Sequence, residues 1–239
     1  MLADKQPIKG VDKMKIAICD DEKIFVDRIK NLLDVPDAEV YSFSTGEELL
    51  ASGIEFDALF LDIDMPGING FEVAKIINLR NKRAVFSFVT VHESLSVQGY
   101  DYQPYRYILK QVPDTVVARK LRETIGEAVR RNGTLEIMKN GSKTIIRISD
   151  IECIESVGHY LKIFVSGEWI EWKKSFKDVE IEFEKYNIIR CHKGYMVNMK
   201  YVKSISRKEI VFYSGNKIPM GRSYYDSVDN KYKNYILSI

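Results

Sequence analysis

Between residues 14 and 131, short apolar runs alternate five times with stretches whose apolar residues recur every three or four positions, and this alternation restricts the fold more than any other feature. "KIAIC" has the continuous apolarity of a buried strand, and Phe25, Ile29, Leu32 and Leu33 then share one helical face. "EVYSF" reads as a second strand, with Ser44 and Glu47 spaced as a capping box ahead of the helix that carries Leu49 and Leu50. "ALFL" is a third strand, followed by a helix with Val73, Ile76 and Ile77; "AVFSFV" is a fourth and "YIL" a short fifth. Pro113 opens a last helix, expected to pack through Val117, Leu121, Ile125 and Val129. Five strand–helix units in about 120 residues predict a doubly wound, five-stranded parallel sheet with helices on both faces.

After "RRNGT", whose residues 132–134 are read as a polar hinge, the pattern changes to short strands rich in β-branched and aromatic residues: "LEIM", "TIIRI", "IECIES", "YLKIFV", "EWIEW", "VKSIS" and "EIVFY". Helices are expected only near "SFKDVEIEFEKY" and at "SYYDSVDNKYKNYI", where Tyr225, Val228, Tyr232, Tyr235 and Ile236 share a face. The chain of 239 residues thus divides into an α/β domain at 14–131 and a mainly β domain at 135–239. The charge divides with it: three net negative charges up to residue 133 and five net positive after it, so the halves are expected to meet different partners. Residues 1–13 precede "MKIAICDDE" and read as a leader or tag. No run approaches the roughly 18 apolar residues of a membrane helix, and no signal peptide opens the chain; a cytoplasmic protein without a membrane partner is expected. Cys19, Cys153 and Cys191 are spaced as reduced structural thiols.

In a doubly wound sheet the ligand site lies beyond the carboxyl ends of the strands. Asp20 and Asp21 end the first strand, Asp62 the third, Thr90 the fourth and Lys110 the fifth. Clustered carboxylates repel unless a cation binds them, and an oxygen-rich set suits Mg²⁺. With that charge offset, the central carboxylate can attack phosphorus to give an aspartyl phosphate, which Lys110 and Thr90 can hold.

These motifs, "CDDE", "LDIDMPGINGFE", Thr90 and "YILK", resemble the receiver domain of two-component response regulators over residues 14–131. The resemblance implies Asp62 as phosphoacceptor and Mg²⁺ held by Asp21, Asp62 and the backbone carbonyl of Asp64, with Asp20 acting mainly through water. It implies Thr90, Tyr107 and Lys110 as switch residues, a sensor histidine kinase as phosphodonor, and no enzymatic turnover beyond slow self-phosphorylation and dephosphorylation. Gln111 departs from the family, which usually has proline after the lysine, so the following loop is expected to take another path. Asp-x-Asp after an apolar strand also opens haloacid dehalogenase phosphatases, but there the motif comes early in the chain, and here Met65 stands where a small hydroxyl or branched residue is expected.

In the second half, "DIECIESVGHYLKIF", "IIRCHKGYMVNMKYVKSI" and "GNKIPMGRSYYDSV" resemble, in order and spacing, the LytTR DNA-binding domain, which reads DNA through loops of a small β fold. Carried over by position, His159, Lys193 and Arg222 are the expected base or phosphate contacts, supported by Tyr160, Lys162, Arg190 and Ser223. Lys193 lies in a loop between "IIRC" and "YMVNM". His192 is equally suited to holding that loop by hydrogen bonds, and Asn198 is read as a turn former. Together the halves imply a phosphorylation-driven homodimer on double-stranded promoter DNA with repeated half-sites, or alternatively a protein that sequesters another regulator.

Overall fold

The computed structural model describes residues 13–36, 38–91, 102–139 and 142–238; residues 1–12 of the expected leader lie outside them. The chain forms two compact units that divide between Asn132 and Gly133.

In the first unit, β1 (Lys15–Cys19), β2 (Glu39–Phe43), β3 (Ala58–Leu61), β4 (Val85–Thr90) and β5 (Arg106–Leu109) pair in the order β2-β1-β3-β4-β5, all parallel. Helices α1 (Lys23–Leu32), α2 (Gly46–Ala51) and α3 (Gly70–Arg80) are the described crossovers, and α4 (Asp114–Asn132) follows β5. Alternation along each strand sorts side chains to opposite faces. Ile16 and Ile18 pack with Val26 and Ile29 of α1 and Val117, Leu121 and Ala128 of α4. Ala17 and Cys19 pack with Leu49 of α2 and Val73, Ala74 and Ile77 of α3. Both faces being covered, every residue of β3 and β4 is buried, as continuous apolar runs require.

Local details depart from the periodic reading. The α2 cap is Thr45, whose side chain accepts from the Glu48 amide at 3.2 Å, while Glu48 accepts from Ser44 N at 3.0 Å. The capping pair is therefore one residue later than expected, because Glu47 is drawn to the Ile68 amide at 2.9 Å. Helix α4 buries Thr124 and Ala128, with Ile125 and Val129 only partly covered. These small residues suit close approach to β4, and the Thr124 hydroxyl meets Ser87 Oγ at 2.8 Å, so both buried hydroxyls are satisfied.

In the second unit, β6 (Thr134–Lys139) and β7 (Ser142–Arg147) form a hairpin. Strands β8 (Ile151–Val157), β9 (Tyr160–Val165), β10 (Glu168–Trp172), β11 (Ile188–His192) and β12 (Tyr195–Asn198) form an antiparallel sheet ordered β10-β9-β8-β12-β11. A smaller sheet comprises β13 (Val202–Ile205), β14 (Glu209–Phe212) and β15 (Lys217–Pro219). Strands β11 and β12, the flanks of the Lys193 loop, and β15 add to the seven strands the sequence pattern predicts; burial on both faces of β11 and β12 hides the period of two. Helix α5 (Phe176–Glu184) packs on β11, and the last helix, α6 (Tyr225–Ser238), joins the core through Val228 with Tyr225, Tyr232 and Tyr235 partly buried. Ile236, expected on that face, is 44 % exposed. Asn198 is buried, donating to Ile151 O at 2.8 Å and accepting from Lys200 N at 3.1 Å, the turn-forming role its position suggested. All three thiols are buried, and burial is the main cause that pushes each up to about 12.

Candidate functional site

The carboxyl ends of β1, β3, β4 and β5 converge as the topology requires. A carboxylate oxygen from each of Asp20, Asp21 and Asp62 falls within 4.8 Å of the others. Asp20 and Asp62 are 2 % and 4 % exposed, whereas Asp21 faces solvent. Lys110 Nζ lies 2.8 Å from Asp20 Oδ2 and 3.2 Å from Asp62 Oδ2, and Glu22 Oε1 stands 3.4 Å away. Asp62 Oδ1 accepts from its neighbour's amide, Ile63 N, at 2.8 Å, and Asp20 Oδ1 accepts from Glu22 N at 3.0 Å.

Burial pushes Asp62 up to about 6, reinforced by Asp20 and opposed by Lys110. Burial likewise raises Asp20, against the Lys110 and Glu22 hydrogen bonds. For Lys110 burial acts downward, but the two carboxylates overcome it and hold the ammonium above its usual range. Three carboxylates sharing one ammonium leave excess negative charge, and oxygen donors at this spacing fit a small hard divalent cation. The Asp64 side chain is exposed and outside this carboxylate group.

Neighbouring elements fix the pocket. A Cβ on Gly70 would sit 2.0 Å from the Asp62 carbonyl oxygen, so only glycine lets α3 start this close to Asp62. Thr90 is 1 % exposed, and its carbonyl accepts from Lys110 N at 2.8 Å, tying β4 to β5 between two switch candidates. Tyr107 lies with its ring 5.4 Å from Phe88, which contacts Phe71, itself stacked on Tyr102. Lys120 of α4 donates to the Tyr107 carbonyl at 2.6 Å.

Three pocket residues lay outside the sequence reading. Glu22 adds a third carboxylate beside Lys110. Phe25, read as a core residue, lies under the ammonium at 4.2 Å. Arg28 donates to the carbonyls of Lys110 and of Val112 and pairs with Asp114 at 2.7 Å, fixing the loop after β5. Gln111 Nε2 donates to Val91 O at 3.2 Å, and no peptide among the described residues is cis, so this loop is held without the proline. Helical spacing alone could not have placed Arg28 there, because its partners come from the far end of the domain.

On the second unit, the β8–β9 and β11–β12 turns lie at one end of the sheet. Gly158, at φ +59°, lets the chain turn before the exposed His159, and Tyr160 and Lys162 continue half-buried into β9. Lys193 is exposed at the β11–β12 turn, and Arg222 and Ser223 are exposed in the segment after β15. Backbone bonds draw these loops together: Ser156 N donates to Gly194 O at 2.9 Å and Gly221 N to Cys191 O at 2.8 Å. His192 Nδ1 accepts from Gly194 N at 3.2 Å, so this histidine holds the turn. Arg190 differs from the other candidates, since it pairs with Glu180 at 2.9 Å and donates to Lys193 O at 3.0 Å. Its guanidinium supports the Lys193 loop from within.

Residues 16–122 match the response regulator receiver domain and residues 141–233 the LytTr DNA-binding domain. The sensory transduction protein LytT of Oceanobacillus iheyensis is 31 % identical over 207 residues, covering 81 % of this chain and 84 % of that protein. The transcriptional regulatory protein NatR of Bacillus subtilis is 23 % identical over 201 residues, covering 81 % and 85 %. The chain belongs to the LytTR-type response regulators. In this response regulator the acidic pocket occupies the receiver domain, and the linked loops occupy the domain of the DNA-binding family. No helix among the described residues is long and apolar enough to cross a membrane.

Proposed function

We propose that this response regulator accepts a phosphoryl group on Asp62 from a sensor histidine kinase in the cytoplasm, and that phosphorylation promotes dimerisation and sequence-specific binding to promoter DNA. The observation that carries the reading is the buried Asp20–Lys110–Asp62 cluster with Asp21 on its solvent side. Asp20, Asp21, Asp62 and the Asp64 backbone would hold Mg²⁺, which when bound offsets the charge of an incoming phosphoryl group. Asp62 attacks phosphorus and the donor's nitrogen leaves; Ile63 N and Lys110 orient the carboxylate for that step. The new phosphate brings close to two negative charges, which Lys110, already 3.2 Å from Asp62, and the Thr90 hydroxyl would hold. Movement of Thr90 vacates space beside β5 into which Tyr107 can repack, shifting the population of that face. The chain acts as a stoichiometric acceptor and not as a turnover enzyme.

Two copies joined through their receivers would place DNA-binding domains on half-sites about two helical turns apart on one face of the duplex. With acetyl phosphate and Mg²⁺, the protein should take up one base-labile phosphate, and Asp62→Ala should take up none, as read by intact-mass spectrometry. A labelled Asp62→Ala protein, or repeated turnover of phosphomonoesters, would refute the acceptor assignment.

A further inference from the structure

The five-stranded sheet of the second unit is wider than the three-stranded sheet packed against one of its faces. Cys153, Val197 and Ile189, on β8, β12 and β11, lie beneath that cover in the core with Phe212 and Ile218. The same row continues outward through direct cross-strand partners, Cys153 to Phe164 on β9 and Phe164 to Trp169 on β10. There the cover stops. Trp169 is 47 % exposed, its ring 5.0 Å from that of Phe164 at 46°, and a cleft of about 380 Å³ opens between these rings and the edge of the smaller sheet. That volume is at the lower end of small-molecule sites, enough for one or two rings.

The charges at the mouth decide what kind of molecule fits. Lys217 lines the cleft but is neutralised by Glu209 at 2.8 Å. Glu152 also lines it and has no ion-pair partner among the described residues. An unpaired carboxylate beside two electron-rich ring faces attracts an organic cation, by Coulomb attraction at one end and cation–π contact at the other. Asn216 adds a polar amide at the same mouth. An anionic ligand would meet Glu152 without a free cation to offset it. We propose that this cleft is a binding site for a small aryl- or alkylammonium ion, separate from both the acidic pocket and the DNA-facing loops.

The test uses the full chain carrying Trp172→Phe, which leaves Trp169 as the sole tryptophan of the two. Benzyltrimethylammonium should quench its fluorescence saturably. Phenylacetate, of similar ring size and opposite charge, should bind at least about tenfold more weakly, and Glu152→Gln should weaken the ammonium about fivefold. Glu152 is at the cleft mouth, so this variant should keep the far-ultraviolet circular dichroism of the parent. Absence of saturable quenching, equal binding of phenylacetate, or no effect of Glu152→Gln would overturn the proposal. So would a Trp169 signal that changes with protein concentration without probe, which would mean that a second copy covers the cleft.

Discussion

In the acidic pocket Asp20, Asp62 and Lys110 are buried and hold one another, whereas on the loop rim of the second domain the backbone is tied and the candidate DNA contacts are left in solvent. Asp20, Asp62 and Lys110 are each 4 % exposed or less. His159, Lys193, Arg222 and Ser223 are all exposed, although hydrogen bonds through Gly194 and Cys191 fix the loops beneath them. The difference suits the two proposed tasks. A phosphoryl group must be met by groups already in place, because reorganising charge in a low-dielectric pocket is costly. DNA phosphates and base edges are reached by long side chains that need only a firm base.

The comparison can be broken first at Lys110. If the pocket is held by mutual charge, Lys110→Ala should destabilise the metal-free receiver by about 3 kcal/mol, because two buried carboxylates lose their shared counter-ion. Added Mg²⁺ should recover much of this in urea unfolding. The variant should keep substantial labelling by acetyl phosphate yet lose the phosphorylation-dependent gain in dimerisation and DNA binding.

A smaller effect should appear with pH. Asp62 is raised from the ordinary 3.8 to about 6, so the metal-free fold favours its protonated form. That contribution is complete below the ordinary value and is lost as pH rises through about 6. Stability should therefore fall by on the order of 2 kcal/mol across this window, and the fall should vanish in Asp62→Asn. A flat profile in the metal-free wild type would mean that Lys110 already compensates the burial.

On the rim, Arg222→Ala should cost about 1–3 kcal/mol of DNA affinity and relax preference at one base pair, if the guanidinium reads an edge. Lys193→Ala should have the smallest effect, a uniform weakening across sequences with the salt-dependence slope reduced by about one. Both are read by fluorescence anisotropy at several salt concentrations. Full binding by both variants would place the DNA surface elsewhere on the domain.

The strand-end residues of the receiver were legible because topology alone brings them together: once β1, β3, β4 and β5 lie side by side, Asp20, Asp62, Thr90 and Lys110 have nowhere else to converge. Arg28 and Phe25 were hidden because their work depends on α1 lying against the loop after β5, a contact across more than 80 residues of chain. The capping register slipped because Ser44 and Thr45 are chemically alike, and a distant amide chose between Glu47 and Glu48. On the DNA-binding side, spacing located the loops, but it could not tell that Arg190 turns inward to Glu180 while Arg222 stays in solvent.

The three buried thiols give the molecule a set of internal clocks. At pH 7.5 a thiol raised to about 12 is ionised only on the order of once in ten thousand molecules, and burial also denies a reagent access. Alkylation by iodoacetamide must then wait for opening, and the two domains are timed separately: Cys19 by the receiver sheet, Cys153 and Cys191 by the DNA-binding sheet. Following the three modifications by peptide mass, before and after phosphorylation, would reveal whether the phosphate tightens one domain while loosening the other.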